Sequence, residues 1–287
     1  MLLDLAQARV EPALIEALER IGAPLPADGP DGAHAVPARL AEAMKYAVTS
    51  PGKRLRPALV LGGAHAVGAS VDDVLPAACA VEMVHAYSLV HDDLPALDDD
   101  DTRRGLPACH KKFDEATALL AGDALLTEAL ALVADPRPLA AGRPIDAARR
   151  AAATTELARA IGAAGMVGGQ QDDVTLGADA TRAQLYTIHR RKTGRLIAAS
   201  VALGAIVGGG SDEDVAALRA FGADIGLAFQ LVDDILDADG VVPHVGNDAA
   251  RQEAVELTVR ATERLERFGG LGAPLAAVAE QMAERIR

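Results

Sequence analysis

The stretch "VDDVLPAACAVEMVHAYSLVHDDLPALDDDDTRRG" (residues 71–105) joins a long apolar run to an abrupt concentration of charge. Residues 71–93 keep apolar side chains at helical spacing and predict one long helix, with Asp72 as its candidate N-cap. The charged end crowds Asp92, Asp93 and the run Asp98 to Asp101 around Pro95, and then places Arg103 and Arg104 directly behind them. On an ideal helix Asp92 and Asp98 would stand ~9 Å apart along the axis and on different faces. Pro95 removes a helical hydrogen bond and disturbs the preceding turn, which offers the two carboxylates a way to converge.

The same helical periodicity, broken by short proline and glycine clusters, recurs on both sides. It predicts helices over residues 1–22, 38–49, 55–68, 113–135, 147–169, 181–208 and 212–239, and from 248 to the end with a break at 268–274. Residues 23–37 read as a loop. Half of the 287 residues are hydrophobic but only 2% are aromatic. Alanine and leucine, which favour helix, carry much of the apolar content, whereas a strand-rich chain would lean on β-branched and aromatic residues. No segment alternates with period two and no fixed-length repeat is visible. The expectation is an all-α protein forming one domain over residues 1–287.

The formal net charge of −13 argues against a nucleic-acid partner and against an anionic membrane surface. Cys79 and Cys109 are too few for a disulfide framework and wrongly spaced for a zinc cluster; Cys79 reads as a buried thiol in an apolar helix. No basic segment followed by an apolar core and cleavage site marks a signal peptide. The longest uncharged run, Leu196 to Ser211, falls short of the ~18 residues that span a bilayer. A cytoplasmic protein without a membrane span is expected.

A second acidic stretch, "FQLVDDILDADG" (229–240), puts Asp233 and Asp237 on one helical face, with Asp234 beside them. Like charges at that spacing destabilise a helix unless something neutralises them. Oxygen-only ligands suit a hard cation such as Mg2+, which keeps several waters and also takes phosphate oxygens. An EF-hand does not fit, because the glycine of "DADG" comes too early and no closing glutamate follows. Basic residues complete the pattern. "PGKRLRP" (51–57) sets Lys53, Arg54 and Arg56 at a helix start, "TRRG" supplies Arg103 and Arg104, and "HRRKTGR" (189–195) supplies Lys192 and Thr193. Arginine and lysine bind phosphate oxygens directly, while carboxylates hold the same anion only through bridging cations. The pattern fits a site for two diphosphates, one metal-bridged and one held by basic residues alone.

"HDDLPALDDDDTRRGLPACHKKF" (91–113) resembles the first aspartate-rich motif of the trans-isoprenyl diphosphate synthases, or polyprenyl synthetases, and "FQLVDDILD" (229–237) resembles the second. "GKRLRP", "LAGDALL", "GGQQDD" and "KTG" stand in the family's order, so the resemblance covers roughly residues 38–240. It implies a single bundle of about ten or more helices around a deep apolar cavity, usually a homodimer. It also implies that Asp92 and Asp98 ligate two Mg2+ ions and Asp233 a third, with Asp93, Asp234 and Asp237 supporting. Arg103, Lys192 and Thr193 would touch an allylic diphosphate. Lys53, Arg56, His85 and Arg104 would hold isopentenyl diphosphate, and Gln230 would lie near the reacting carbons. Gln170 and Asp173 either join that site or tie helices together. Ser88 lies one turn below Asp92 and Tyr87 ~7.5 Å along the axis, and in the family a bulky residue at the place of Tyr87 stops growth near fifteen carbons.

Head-to-tail condensation of isopentenyl diphosphate with dimethylallyl and geranyl diphosphate, giving farnesyl diphosphate, is the expected reaction. The alternatives are geranyl or geranylgeranyl diphosphate synthesis, a terpene cyclase, and a catalytically silent synthase-like subunit. "GKRLRP" with "RRG" and "DDILD" points away from the cyclase. The silent subunit draws on one departure from the family. The usual glycine- and lysine-containing loop does not follow "DDILDADG", and no lysine occurs after Lys192.

Overall fold

The computed structural model describes residues 1–22 and 36–286, and among them the chain is helical almost throughout. The helices are α1 (Leu2–Gly22), α2 (Ala38–Thr49), α3 (Leu55–Ala66), α4 (Leu75–Asp92), α5 (Cys109–Lys112), α6 (Glu115–Ala134) and α7 (Ala147–Ile161). They continue as α8 (Met166–Leu176), α9 (Arg182–His189), α10 (Arg195–Gly208), α11 (Asp212–Asp237), α12 (Val242–Val245), α13 (Asn247–Glu263) and α14 (Ala273–Ala283). The one sheet among the described residues is a small hairpin, β1 (Thr102–Arg103) against β2 (Leu106–Pro107). The all-α expectation holds. The loop expected at 23–37 lies outside the described residues except for its last two positions.

Local chemistry sets most boundaries. Asp114 caps α6 by accepting from the Thr117 N–H at 2.7 Å. Thr181 with Gln184 and Ser211 with Asp214 form capping boxes that start α9 and α11. Gly209, at φ 85°, ends α10 in the left-handed region that favours glycine.

Three sequence expectations need correction. Asp72 does not cap α4: it begins a short 3-10 turn (Asp72–Val74) and pairs with Arg9, and α4 starts only at Leu75. The helix expected over 147–169 is two helices, because Gly162 and Gly165 bracket a break between α7 and α8. The helix expected over 181–208 keeps its direction but widens into a π-helical turn at Arg190–Gly194, a distortion that tends to mark functional sites.

α3 packs most extensively on α10, α4 on α6, and α11 on both α10 and α13. The α3–α10 crossing is close because both helices carry glycine there. A Cβ on Gly63 would overlap the Val201 carbonyl oxygen, and one on Gly204 would overlap that of Val60. The main core is built from alanine, leucine and valine, with Phe221 its largest fully buried side chain. A second apolar cluster, including Tyr186, Leu231, Val232 and Leu257, joins α9, the end of α11 and α13. Cys79 is fully buried, as expected.

Among the described residues, three helical segments have the length and hydropathy of a membrane span: Asp72–Asp92, Glu115–Ala134 and Asp212–Asp237. The longest uncharged run did not reveal them, because each carries charge at its ends or within. The first and third are 72% and 61% buried, so most of their apolar surface faces the core, whereas the second is only 39% buried.

Gly204→Ala should force α3 and α10 apart and lower stability by about 1–3 kcal/mol, the usual cost of overpacking. Urea or thermal unfolding measures it, and an unchanged midpoint would show that the crossing is not backbone-limited.

Candidate active site

α4 delivers the first acidic group to the rim of an apolar cleft. Tyr87, Ser88, His91 and Asp92 share one face of this helix, and that face lines a cleft of about 380 Å³. Arg56 of α3, Gln170 of α8, and Lys192 and Thr193 of the π-helical turn line it too. Pro95 does not kink α4 but lies beyond its end. The chain turns back after Asp92, and the Asp98 N–H donates to the Asp92 carbonyl oxygen at 2.8 Å. Asp98 is thereby brought beside Asp92, by a backbone return and not by a bend within the helix.

Burial, opposed by Lys192 and reinforced by the charges of Asp98 and Asp93, pushes the Asp92 carboxyl up to about 6. The ionised group is under-compensated by the protein around it. Asp93, its neighbour in sequence, has a different environment: it is buried and accepts from Arg103 Nε at 2.8 Å and from Arg103 Nη2. Arg103 Nη2 also reaches Asp100 at 2.9 Å. The aspartate expected to support a metal is occupied in aiming an arginine.

The hairpin directs the arginine pair. Arg104 and Gly105 form its two-residue turn at φ 54° and 78°, the positive values a tight hairpin requires. Arg104 donates to the Pro51 carbonyl at 2.9 Å and to His85 Nε2 at 3.1 Å. Because arginine only donates, His85 Nε2 accepts and the ring proton sits on Nδ1. Burial, with Arg56 and Arg104 nearby, holds His85 well below its ordinary value, so the ring is neutral. Burial likewise draws Arg56 down to about 10, with Asp233 among the acidic groups that oppose the shift. Lys53 is exposed and does not line the cleft. Arg54 is buried on Glu82 at 2.7 Å and braces the turn at φ 52°.

α11 supplies the second acidic stretch. Gln230 is bound to the hydroxyl of Thr193, which places this helix against the cleft lining. Asp233 follows one turn later and pairs with Arg285 at 2.9 Å, and burial raises its pKa. Asp98, Arg103, Gln230 and Asp233 therefore flank the cleft and do not line it. Asp234 is buried, accepting from His189 Nε2 and the Val241 N–H, each at 2.9 Å, and so anchors the end of α11. Asp237 is exposed. Lys192 pairs with Asp173 at 2.7 Å, and the Gln170 side-chain oxygen is buried without a partner. Tyr87 is buried, and its hydroxyl, pushed up to about 12 by burial and by Asp92, also lacks a partner.

Sequence reasoning missed His91, Met166 and Val167 in the lining, and the cross-chain partners Glu82, His189 and Arg285. His91 was within reach of it, since helical spacing puts it on the face shared by Tyr87 and Asp92.

Residues 37–263 match the polyprenyl synthetase family, and the chain belongs to it. It is 45% identical over 212 residues to farnesyl diphosphate synthase of Bacillus subtilis (strain 168), covering 74% of this chain and 70% of that one. It is 47% identical over 219 residues to the chloroplastic geranylgeranyl pyrophosphate synthase 7 of Arabidopsis thaliana, covering 75% of this chain and 61% of that one. Among solved structures, an apo FPP/GFPP synthase from Zymomonas mobilis aligns with a TM-score of 0.84 at 33% identity, over 98% of both chains. A geranyltransferase from Legionella pneumophila aligns with a TM-score of 0.85 at 34% identity, over 99% of this chain and 96% of that one. The chain is a prenyltransferase of the trans-prenyl diphosphate synthase type.

Asp92→Asn should stabilise the metal-free protein at pH 8 by about 1–3 kcal/mol, because it removes a buried, under-compensated charge. The sign follows from a folded pKa of about 6 above the ordinary 3.8. The wild-type penalty is complete above the folded value and fades as pH falls toward the unfolded one, so the gain should vanish in acid. Unfolding measured at both ends of that window checks it.

Proposed function

We propose that this chain is a Mg2+-dependent farnesyl diphosphate synthase, acting as one catalytic domain and pairing as a homodimer in the cytoplasm. It would join isopentenyl diphosphate head-to-tail to dimethylallyl and then geranyl diphosphate. One observation carries the reading: Asp92 stands at the mouth of an apolar cleft with Lys192 and Arg56 in its lining and Tyr87 deeper in the same wall. The apolar surface of α6 left open, with Leu119 47% and Leu120 56% exposed, supports pairing with a second copy. Two free, buried cysteines suit a reducing compartment.

Among the described residues no three His, Cys, Asp or Glu groups converge to hold a metal ion alone. The donors that do stand at the mouth are carboxylates, and the under-compensated Asp92 beside Asp98 fits a cation that completes its shell with water and substrate oxygens. Asp92, Asp98 and Asp233 would hold about three Mg2+ ions, with Asp237 supporting. Bound there, Mg2+ supplies neutralisation of the diphosphate leaving group. Arg103 and Lys192, with the Thr193 hydroxyl, hydrogen-bond the allylic diphosphate as its C–O bond ionises. Arg56 and Arg104 bind the isopentenyl diphosphate with Lys53 closing from outside, and neutral His85 offers its Nδ1–H. The cleft excludes water from the allylic cation, Gln230 borders the reacting carbons, and the isopentenyl double bond attacks. The departing diphosphate takes the proton that is lost.

Relatives carry both farnesyl and geranylgeranyl names, which leaves product length open; in this reading the depth of the cleft decides it, with Tyr87 and Ser88 closing it. With Mg2+, isopentenyl diphosphate and dimethylallyl diphosphate, the wild type should release mainly the fifteen-carbon product. Tyr87→Ala should extend it to twenty carbons or more. An unaltered product spectrum in that variant removes Tyr87 as the floor. Hydrocarbon products would mean a cyclase, and no turnover without a second protein a silent subunit. Asp92→Asn should lower kcat by about 10²-fold or more.

A further inference from the structure

We propose that His91, wedged against Gly122, is a positioning residue that sets product length by holding the Tyr87 ring across the end of the cleft. The inference rests on the reading of Tyr87 as the floor. Tyr87 has no polar anchor: its hydroxyl is buried without a hydrogen-bond partner, so packing alone fixes the direction of its ring. The neighbour one turn along the same face is His91, and the two rings meet edge to face with centroids 5.8 Å apart at 76°. Both line the cleft.

His91, unlike Tyr87, is gripped from two directions. Its Nε2 lies 3.0 Å from the Leu119 carbonyl oxygen of α6. A carbonyl only accepts, so the imidazole proton sits on Nε2 and the tautomer is fixed. The ring also rests on the bare Cα of Gly122, one turn further along α6. A Cβ there would overlap Nε2, Cδ2 and Cε1 together. Only glycine lets the imidazole lie this close to the helix. α6 thus clamps a rigid ring between a carbonyl and a missing side chain, and the clamped ring supports a tyrosine that has no hydrogen bond of its own.

Two variants should move the product in opposite directions. His91→Ala releases Tyr87, and the ratio of twenty- to fifteen-carbon product should rise several-fold. Gly122→Ala drives the imidazole off α6 toward the cleft, and the ratio of ten- to fifteen-carbon product should rise instead. In a Tyr87→Ala background, His91→Ala should lengthen the product no further. His91→Gln keeps a donor for the Leu119 carbonyl but lacks the ring, and should lengthen the product as His91→Ala does, which guards against a variant that merely folds poorly. If Tyr87→Ala lengthens the product while His91→Ala and His91→Gln leave the ratios untouched, the wedge is refuted and the floor stands. If Tyr87→Ala itself changes nothing, the floor fails and the wedge with it. Lower activity at unchanged product ratios in the His91 and Gly122 variants also refutes the wedge.

Discussion

The constraint on which this structure turns is the cost of keeping an ionised carboxylate at the end of an apolar helix. α4 has almost nothing but alanine, valine and other apolar side chains on its buried faces, yet it terminates in Asp92 at a cleft. Burial raises the carboxyl's affinity for a proton, and Asp98, returned to the same spot by the backbone, raises it further. A protein that needed only stability would not keep both. Under the proposed function the strain is readiness for a cation that arrives with substrate, since binding would relieve a repulsion already present in the fold.

The surrounding cations are held ready in the opposite way. Lys192 rests on Asp173, Arg103 on Asp93 and Asp100, and Arg54 on Glu82. Each pair fixes a long, flexible side chain in advance, so under the proposed function Lys192 and Arg103 would need less ordering to meet a phosphate. The pairs differ in burial. Arg54 and Glu82 are almost wholly enclosed, which makes them a brace, whereas Lys192 and Asp173 are 31% and 39% exposed and can exchange partners.

Much of this was legible in the sequence. The periodicity located most helices to within a few residues, and the order of the motifs gave the family. Spacing could not say which of two adjacent aspartates faces the cleft. Asp92 and Asp93 read alike, yet only Asp92 lines the cleft while Asp93 is turned to Arg103; Asp233 and Asp234 also read alike, yet the first meets Arg285 and the second His189. Such a partner can come from a distant segment, as His189 with Asp234 shows across 45 residues. The break between α7 and α8 was also hidden, because "IGAAGM" keeps helix-forming alanines between its two glycines. The hairpin at 102–107 escaped notice since two-residue strands leave no alternation to detect.

That hairpin sends two identical side chains to different neighbours. Arg103 is a strand residue and Arg104 a turn residue, so the identical guanidinium groups leave the backbone in different directions. One meets Asp93 and the other meets His85. The dipeptide works as a divider whose sorting depends on register alone, since the side chains themselves are chemically interchangeable. An insertion of one amino acid between Asp101 and Arg103 would carry Arg103 into the turn and leave Asp93 without its arginine, without altering a single charge.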